Sequence, residues 1–307
     1  MSEAHAFLNG QVIPESEAKI PIYDAGIVMG ATVTENIRTF RKRPFLLERH
    51  MERLGCSLRC AHIGLNMSID ELAQICCELV DRNGTLIGPD EELSVIVFVT
   101  AGVFPRYVGR TNAELSKGPT VCVHTVPMNF AAMAERMANG FHVVTPSIRH
   151  VPPECYNPCI KYRSRMHYYL ADIEARAVDP DAVALLLDLS GNVTETNMAN
   201  FMMVENSTIV SPTLTNILPG ISRAIVIELA DELGIPFVER DFQVADVLNA
   251  DEAFVTTTPY CIAPATQINK EKIGDGRSGP IFRQLIDAYS GRVGLNIEKQ
   301  ILDAGTF

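Results

Sequence analysis

Apolar and polar positions alternate with a clear period along much of the chain, and the period changes where the elements change. Residues 6–13, AFLNGQVI, read as two short strands about Asn9-Gly10, a dipeptide suited to a two-residue hairpin turn. Thr32 to Thr39 alternates as a strand. From Phe45 to Ala61 the period becomes helical, with Leu47, Met51, Leu54 and Leu58 on one side. Ser68 to Asn83 is the clearest helix: Ser68 and Glu71 have capping-box spacing, Leu72, Ile75, Cys76, Leu79 and Val80 share a face, and Asn83-Gly84 closes it. Strands are predicted at Leu93 to Ala101 and Thr120 to Val126, separated by a loop holding Gly102, Pro105, Arg106 and Arg110.

The strand pattern stops over residues 127–140. This divides the chain into a smaller N-terminal α/β domain (1–126), a linker (127–140) and a larger C-terminal domain (141–307). The second part reads as a strand near Phe141 to Thr145, a Pro152-Pro153 loop, and a helix from about Ser164 to Ala177 whose buried stripe is Met166, Tyr169, Leu170, Ile173 and Ala177. From Leu187 to Val204 an apolar run turns at Ser190-Gly191-Asn192 and returns through Val193-Thr194-Glu195 to a second apolar run. Thr208 to Ser211 is a further strand. A helix after Ile217 carries Ile225, Val226, Leu229, Ala230 and Leu233 and stops at Gly234. Strands at Pro236 to Glu239 and Glu252 to Thr256 flank a short helical pattern, and a last helix runs from Pro280 to Tyr289.

Size and charge narrow the function. A chain of 307 residues exceeds one comfortable core, in keeping with two domains. A net charge of -11 speaks against a nucleic-acid or anionic-membrane surface. With no apolar run of spanning length and no basic-then-apolar leader, the expected setting is the cytoplasm. The eight cysteines, at 56, 60, 76, 77, 122, 155, 159 and 261, form no zinc-like Cys/His grouping and read as buried free thiols, with a regulatory role for Cys155 or Cys159 as the alternative.

Several residues carry candidate chemistry. Glu195 has no Lys or Arg near it from Leu189 to Val204, so a carboxylate entering the core here needs a partner from elsewhere, such as a protonated ring nitrogen; the alternative is a solvated hairpin residue. Lys161 is the only lysine between Lys117 and Lys270, and a desolvated amine serves as nucleophile or base where an exposed one is surface charge. Leu218 to Arg223 is a glycine-containing turn opening a helix, whose Ile221 and Ser222 N–H groups favour phosphate, unless Ser222 is an ordinary N-cap. Thr256-Thr257-Thr258 adds hydroxyl and amide donors, and Arg53 offers a planar fork for a phosphate or simply an exposed helix charge.

Taken in order, Asp24-x-Gly26, Gly30, Glu35, His50-x-x-Arg53-Leu54, Lys161, Gly191-x-Val193-Thr194-Glu195-x4-Asn200, Leu218-Pro219-Gly220-Ile221-Ser222-Arg223 and Glu252-Ala253-Phe254-x3-Thr258 span most of the chain. The whole resembles the class IV aminotransferases, the fold-type IV pyridoxal 5′-phosphate enzymes that include branched-chain aminotransferases, D-amino acid aminotransferases and aminodeoxychorismate lyases. The resemblance implies a two-domain α/β (α+β) fold with the site between the domains, completed by the second subunit of a homodimer. It implies that Lys161 holds the cofactor as a Schiff base and carries the proton, that Glu195 pairs with the pyridine nitrogen, and that Arg53, Ile221, Ser222 and Thr258 hold the phosphate.

Thr34, Arg106 and Thr257 are the expected substrate-side residues. The segment Val99 to Arg106 is similar to that of the D-amino acid enzymes, whose arginine at the Arg106 position binds the substrate carboxylate. Val108 stands where they carry histidine, and Thr34 where both aminotransferase branches carry an aromatic. Arg163 and Arg165 are either further carboxylate ligands or helix-start charges. The expected reaction is a transamination of branched-chain L-amino acid type. A D-amino acid aminotransferase, an aminodeoxychorismate lyase and a catalytically silent cofactor-binding protein are the alternatives.

Overall fold

A computed structural model describes residues 3–107 and 118–305 of the chain. The residues group into two compact units: unit 1 is Met1–Met128 with Cys159–Ser164, and unit 2 is Asn129–Pro158 with Arg165–Phe307.

Unit 1 is an antiparallel sheet with helices on one face. Its strands are β1 (His5–Leu8), β2 (Gln11–Pro14), β3 (Thr32–Phe40), β4 (Arg43–Pro44), β5 (Leu93–Thr100) and β6 (Thr120–Pro127), in the order β2-β1-β6-β5-β3-β4. The first hairpin turns at Asn9 and Gly10, both with positive φ, as its sequence requires. A one-turn helix α1 (Ala25–Val28) is capped by Asp24, whose other carboxylate oxygen accepts from the Thr120 hydroxyl. Helices α2 (Leu47–Cys60) and α3 (Ile69–Asn83) cover the sheet. Met51, Leu54, Leu58, Leu72, Cys76 and Leu79 meet Val33, Ile37, Val95, Val97, Val99, Val121 and Val123 in one dry layer. The Ser68–Glu71 capping box forms as expected.

Unit 2 begins inside the stretch read as a linker. Residues 130–139 form helix α4 (Phe130–Asn139), capped by Asn129 and burying Phe130, Met133, Ala134 and Met137, spaced for a helix where the strand pattern lapses. There follow β7 (Phe141–Val144), α5 (Met166–Val178), β8 (Val183–Leu187), β9 (Val193–Thr196), β10 (Asn200–Glu205), β11 (Thr208–Ser211), α6 (Ile221–Glu232), β12 (Phe237–Glu239), α7 (Val244–Leu248), β13 (Glu252–Thr257), β14 (Cys261–Ile268), β15 (Glu271–Lys272), α8 (Pro280–Val293) and α9 (Ile297–Leu302). The sheet runs β12-β11-β10-β13-β14-β7-β8-β9, with β15 on β14, and β9 pairs back onto β10 through Glu195 and Asn200, so six strands close on themselves. Helices α6 and α8 pack on β13 and β14. The buried Glu252 carboxylate accepts the first-turn N–H groups of Ile281 and Phe282, which settles that residue as the anchor of α8.

The reading of unit 2 is corrected at several points. The residues read as the buried stripe of α5 are its exposed face: Met166, Tyr169, Leu170 and Ile173 are 68%, 63%, 42% and 50% exposed, and Ala177 is exposed as well. The helix buries Tyr168, Ala171, Asp172 and Ala175 instead, because small side chains let it lie close on Ala184 and Leu186 of β8. Strand β14 went unread. It is a central, almost wholly buried strand, but Pro264 in CIAPATQI marks an edge or a break to a pattern reading. The last helix is also followed by α9, and Leu233 is exposed at the end of α6.

The thiols are corrected too. Cys76, Cys122 and Cys261 are buried, whereas Cys60, Cys77 and Cys155 are exposed. Burial pushes the Cys76 and Cys122 thiols up to about 12. Among the described residues no His/Cys/Asp/Glu group is placed to hold a metal, and no helix is long and apolar enough to cross a membrane.

Candidate active site

Lys161 belongs to the short segment that returns to unit 1, and its backbone is tied down from both sides. Thr34 N–H donates to the Lys161 carbonyl (2.8 Å), Lys161 N–H donates to Ser57 Oγ (3.1 Å), and Ser57 Oγ–H donates to the Cys159 carbonyl (3.2 Å). Tyr162 bridges to Val33, Arg163 N–H donates to the Thr32 carbonyl, and Ser164 Oγ–H donates to the Gly30 carbonyl. The segment thus runs along β3 with the base of α2 on its other side, and the lysine is half-buried. Its amine is near enough to His50 for its positive charge to push that imidazole down, after burial and against the pull of Glu35.

The Arg53 fork is in use within unit 1. Nε and Nη2 donate to the two oxygens of Glu35 (2.8 and 2.7 Å), and His50 Nδ1 lies 2.7 Å from Oε2. Glu35 is fully buried. Burial works to raise its pKa, but the Arg53 charge and the hydrogen bonds from Arg53 and His50 win and hold it at about 2. Arg53 is therefore no exposed helix charge. Arg106 is exposed on a short 3-10 turn, Pro105–Tyr107, whereas Val108, Arg110 and Lys117 lie outside the described residues. Thr34 is buried with its hydroxyl donating to the Val97 carbonyl, and the Arg163 guanidinium lies over the Phe98 ring at 5.2 Å.

In unit 2 the strand-turn-strand reading holds, and Glu195 is 8% exposed at the point where β9 meets β10. Oε2 accepts from Asn200 Nδ2 (2.8 Å) and from Leu218 N–H (3.1 Å), and Oε1 accepts from the Tyr168 hydroxyl (3.0 Å). Asn200 Nδ2 also meets the Leu218 carbonyl. A Cβ on Gly220 would fall 2.0 Å from Asn200 Oδ1, so only glycine lets the 218–220 turn close on this amide. Gly220 is the N-cap of α6, which corrects the N-cap reading of Ser222: Ile221 and Ser222 are the first two helical residues, with no intrahelical acceptor for their N–H groups. Arg223 is structural, bound to Ser211 and Glu239. The Thr257 hydroxyl donates to the Met198 carbonyl, and the neighbouring Thr256 Oγ1 is buried without a protein partner. Arg165 donates to the Asn197 carbonyl, and Asn197 to Asp172.

The sequence reading passed over Tyr168 and His150. Both are buried, His150 Nε2 is 3.0 Å from the Tyr168 oxygen and 3.6 Å from Glu195 Oε1, and no motif flagged either.

The profile for amino-transferase class IV matches residues 32–268, more than two thirds of the chain. The chain belongs to the class IV aminotransferases. It is 30% identical over 289 residues to a putative branched-chain-amino-acid aminotransferase of Methanocaldococcus jannaschii, covering 92% of this chain and 94% of that one. It is also 30% identical over 285 residues to the D-alanine aminotransferase of Staphylococcus aureus strain N315, covering 92% and 95%. The solved structure of a branched-chain amino acid aminotransferase from Thermoproteus uzoniensis, with norvaline, superposes with a TM-score of 0.83 at 26% identity, over 98% of each chain. The fold is that of the fold-type IV enzymes, and this class IV aminotransferase is a pyridoxal 5′-phosphate-dependent transaminase.

The residues of unit 2 fit such a cofactor. Three neutral donors occupy three of the four acceptor directions of the Glu195 carboxylate, and among the described residues the fourth, on Oε1, has no hydrogen bond. A buried anion left in that state suits a cationic N–H. The orphaned Thr256 hydroxyl and the free first turn of α6 are the kind of donors a phosphate takes up.

Proposed function

We propose that this aminotransferase moves the amino group of a branched-chain L-amino acid to a 2-oxo acid, with Lys161 as the catalytic amine and Glu195 as the partner of the cofactor's ring nitrogen. The supporting observation is the seat of Glu195, a buried carboxylate held by neutral groups with one acceptor direction remaining. When bound, pyridoxal 5′-phosphate supplies the sink for the electron pair left on the α-carbon after its proton is removed. The Lys161 amine, in its neutral form, takes that proton from the α-carbon and later returns one. Its anchored backbone restricts where the amine can reach. Arg53, the N–H groups of Ile221 and Ser222, and Thr258 are the proposed phosphate ligands, favoured by the positive end of α6. Thr34 and Thr257 are assigned to the substrate side and Arg106 to the substrate carboxylate, in line with the exposed position of that arginine.

Borohydride reduction of the loaded enzyme followed by peptide mapping tests the amine: a pyridoxyl label on Lys161 is expected, and a label on Lys270 overturns the assignment. L-leucine, L-isoleucine and L-valine with 2-oxoglutarate test the substrate, with 2-oxo acid formation expected only when the acceptor is present. A second reading, a D-amino acid aminotransferase, is favoured by the equal identity to the Staphylococcus enzyme, and D-alanine as donor decides between them. Pyruvate release from aminodeoxychorismate without an acceptor would make the chain a lyase instead.

The exposed Met166, Tyr169, Leu170 and Ile173 fall at helical spacing on one face of α5, an apolar stripe that a monomer rarely leaves in water. A homodimer burying this face is proposed, with the cytoplasm as its proposed setting. Sedimentation of Ile173→Glu against wild type checks it, with the variant expected to shift toward monomer.

A further inference from the structure

The Oε1 side of Glu195 is built from two residues that the family motif does not include. Tyr168, on the buried face of α5, donates to Oε1 at 3.0 Å. His150, in the loop after β7, places Nε2 3.0 Å from the Tyr168 oxygen and Nδ1 3.1 Å from the Val151 carbonyl oxygen. Counting donors assigns the hydrogens. A carbonyl oxygen only accepts, so Nδ1 carries one. A phenol has a single hydrogen, and with Glu195 ionised, as its pairing with a protonated ring nitrogen requires, the facing oxygen only accepts, so that hydrogen points at Glu195. Nε2 then faces an oxygen lone pair and must donate as well.

An imidazole with hydrogens on both nitrogens is a cation. We propose that His150 is held as an imidazolium and, through Tyr168, acts as a positioning residue that holds the Glu195 carboxylate with its remaining acceptor direction turned to the ring nitrogen of pyridoxal 5′-phosphate. The proposal rests on the assignment of Glu195 to that nitrogen. Its chemical consequence is directional. A cation behind the carboxylate makes the carboxylate a poorer proton acceptor, so the proton shared with the ring stays on the nitrogen, where it is useful.

The charged and titratable groups around His150 agree with this. Glu195 is the facing acid, at 3.6 Å. His167 stands edge-on to His150 with ring centroids 5.9 Å apart, the Arg165 guanidinium lies 5.9 Å from the Tyr168 ring centroid, and Arg149 precedes His150 in the chain. Burial first, and then the charges of His150 and Arg165, push His167 down to about 4, with Glu195 opposing. Of the two adjacent imidazoles, His167 is the neutral one.

The test uses protein labelled with ¹⁵N,¹³C-histidine, as apoprotein and after addition of pyridoxal 5′-phosphate, in wild type, Tyr168→Phe, His150→Gln and His142→Gln. In the wild-type apoprotein at pH 7, the resonances missing from His150→Gln are expected to be those of a doubly protonated ring. Tyr168→Phe is expected to lower the pH midpoint of that ring by about half a unit or more. In the loaded proteins, Tyr168→Phe and His150→Gln are expected to shift the pH midpoint of the cofactor's visible band by about threefold or more in proton affinity. His142→Gln, at a histidine paired with Asp179, leaves it in place. A purely packing role for Tyr168 and His150 would move neither midpoint. A singly protonated His150 in wild type, or an unmoved band in both variants, overturns the proposal. An apoprotein that shows the coupling but no spectral change on adding the cofactor keeps the imidazolium and overturns instead the placing of the ring nitrogen at Glu195.

Discussion

Two buried glutamates, Glu35 in unit 1 and Glu195 in unit 2, are treated in opposite ways. Glu35 in unit 1 meets a guanidinium through both oxygens and an imidazole through one, and is held at about 2. Glu195 in unit 2 is held by an amide, a backbone N–H and a phenol. The first carboxylate has its charge met by a guanidinium of its own unit, whereas the hydrogen bonds to the second all come from neutral donors. Burial alone therefore does not mark a binding carboxylate; the charge of its donors does.

The contrast predicts that the two sites fail differently. Glu195→Gln is expected to cut turnover by about 10²–10³-fold, the usual cost of losing one preorganised electrostatic partner, with the fold intact by circular dichroism. Retained turnover would remove Glu195 from the chemistry. Glu35→Gln is expected to act on stability, by about 3–5 kcal/mol in urea unfolding, because it leaves Arg53 and His50 beside a neutral group. A silent Glu35→Gln would collapse the comparison.

Acid sharpens it further. Because the folded-state value of Glu35 lies at about 2, below the ordinary 4.5, its contribution is fully present above pH 4.5 and disappears as pH falls from there through 2. The loss is on the order of 3 kcal/mol, read as the difference in acid-unfolding curves between wild type and Glu35→Gln. The smallest effect is expected from Gly220→Ala, whose methyl would press on Asn200 Oδ1 and tilt the amide that seats Glu195. A stability loss of about 1–3 kcal/mol is expected, with a measurably weaker affinity for pyridoxal 5′-phosphate in reconstitution titrations.

Local chemistry was legible in the sequence wherever it is settled by neighbours along the chain. The Asn9-Gly10 hairpin, the Ser68–Glu71 cap and the Ser190-Gly191-Asn192 turn between β8 and β9 all form as read. What depends on partners far along the chain was not. On α5 the large apolar side chains looked like the buried face, but a helix seated tightly on a strand uses its alanines, and Tyr168 was lost on the face that seemed polar. Pro264 hid a central strand. Arg53 could be placed in a motif, yet nothing local showed that Glu35, 18 residues earlier, takes both arms of its fork.

The six strands of unit 2 meet end to end at Glu195 and Asn200, so the rivet that shuts the hoop is also the mount for the anion. A change at Asn200 therefore reaches the strand closure and the seat of the Glu195 carboxylate together.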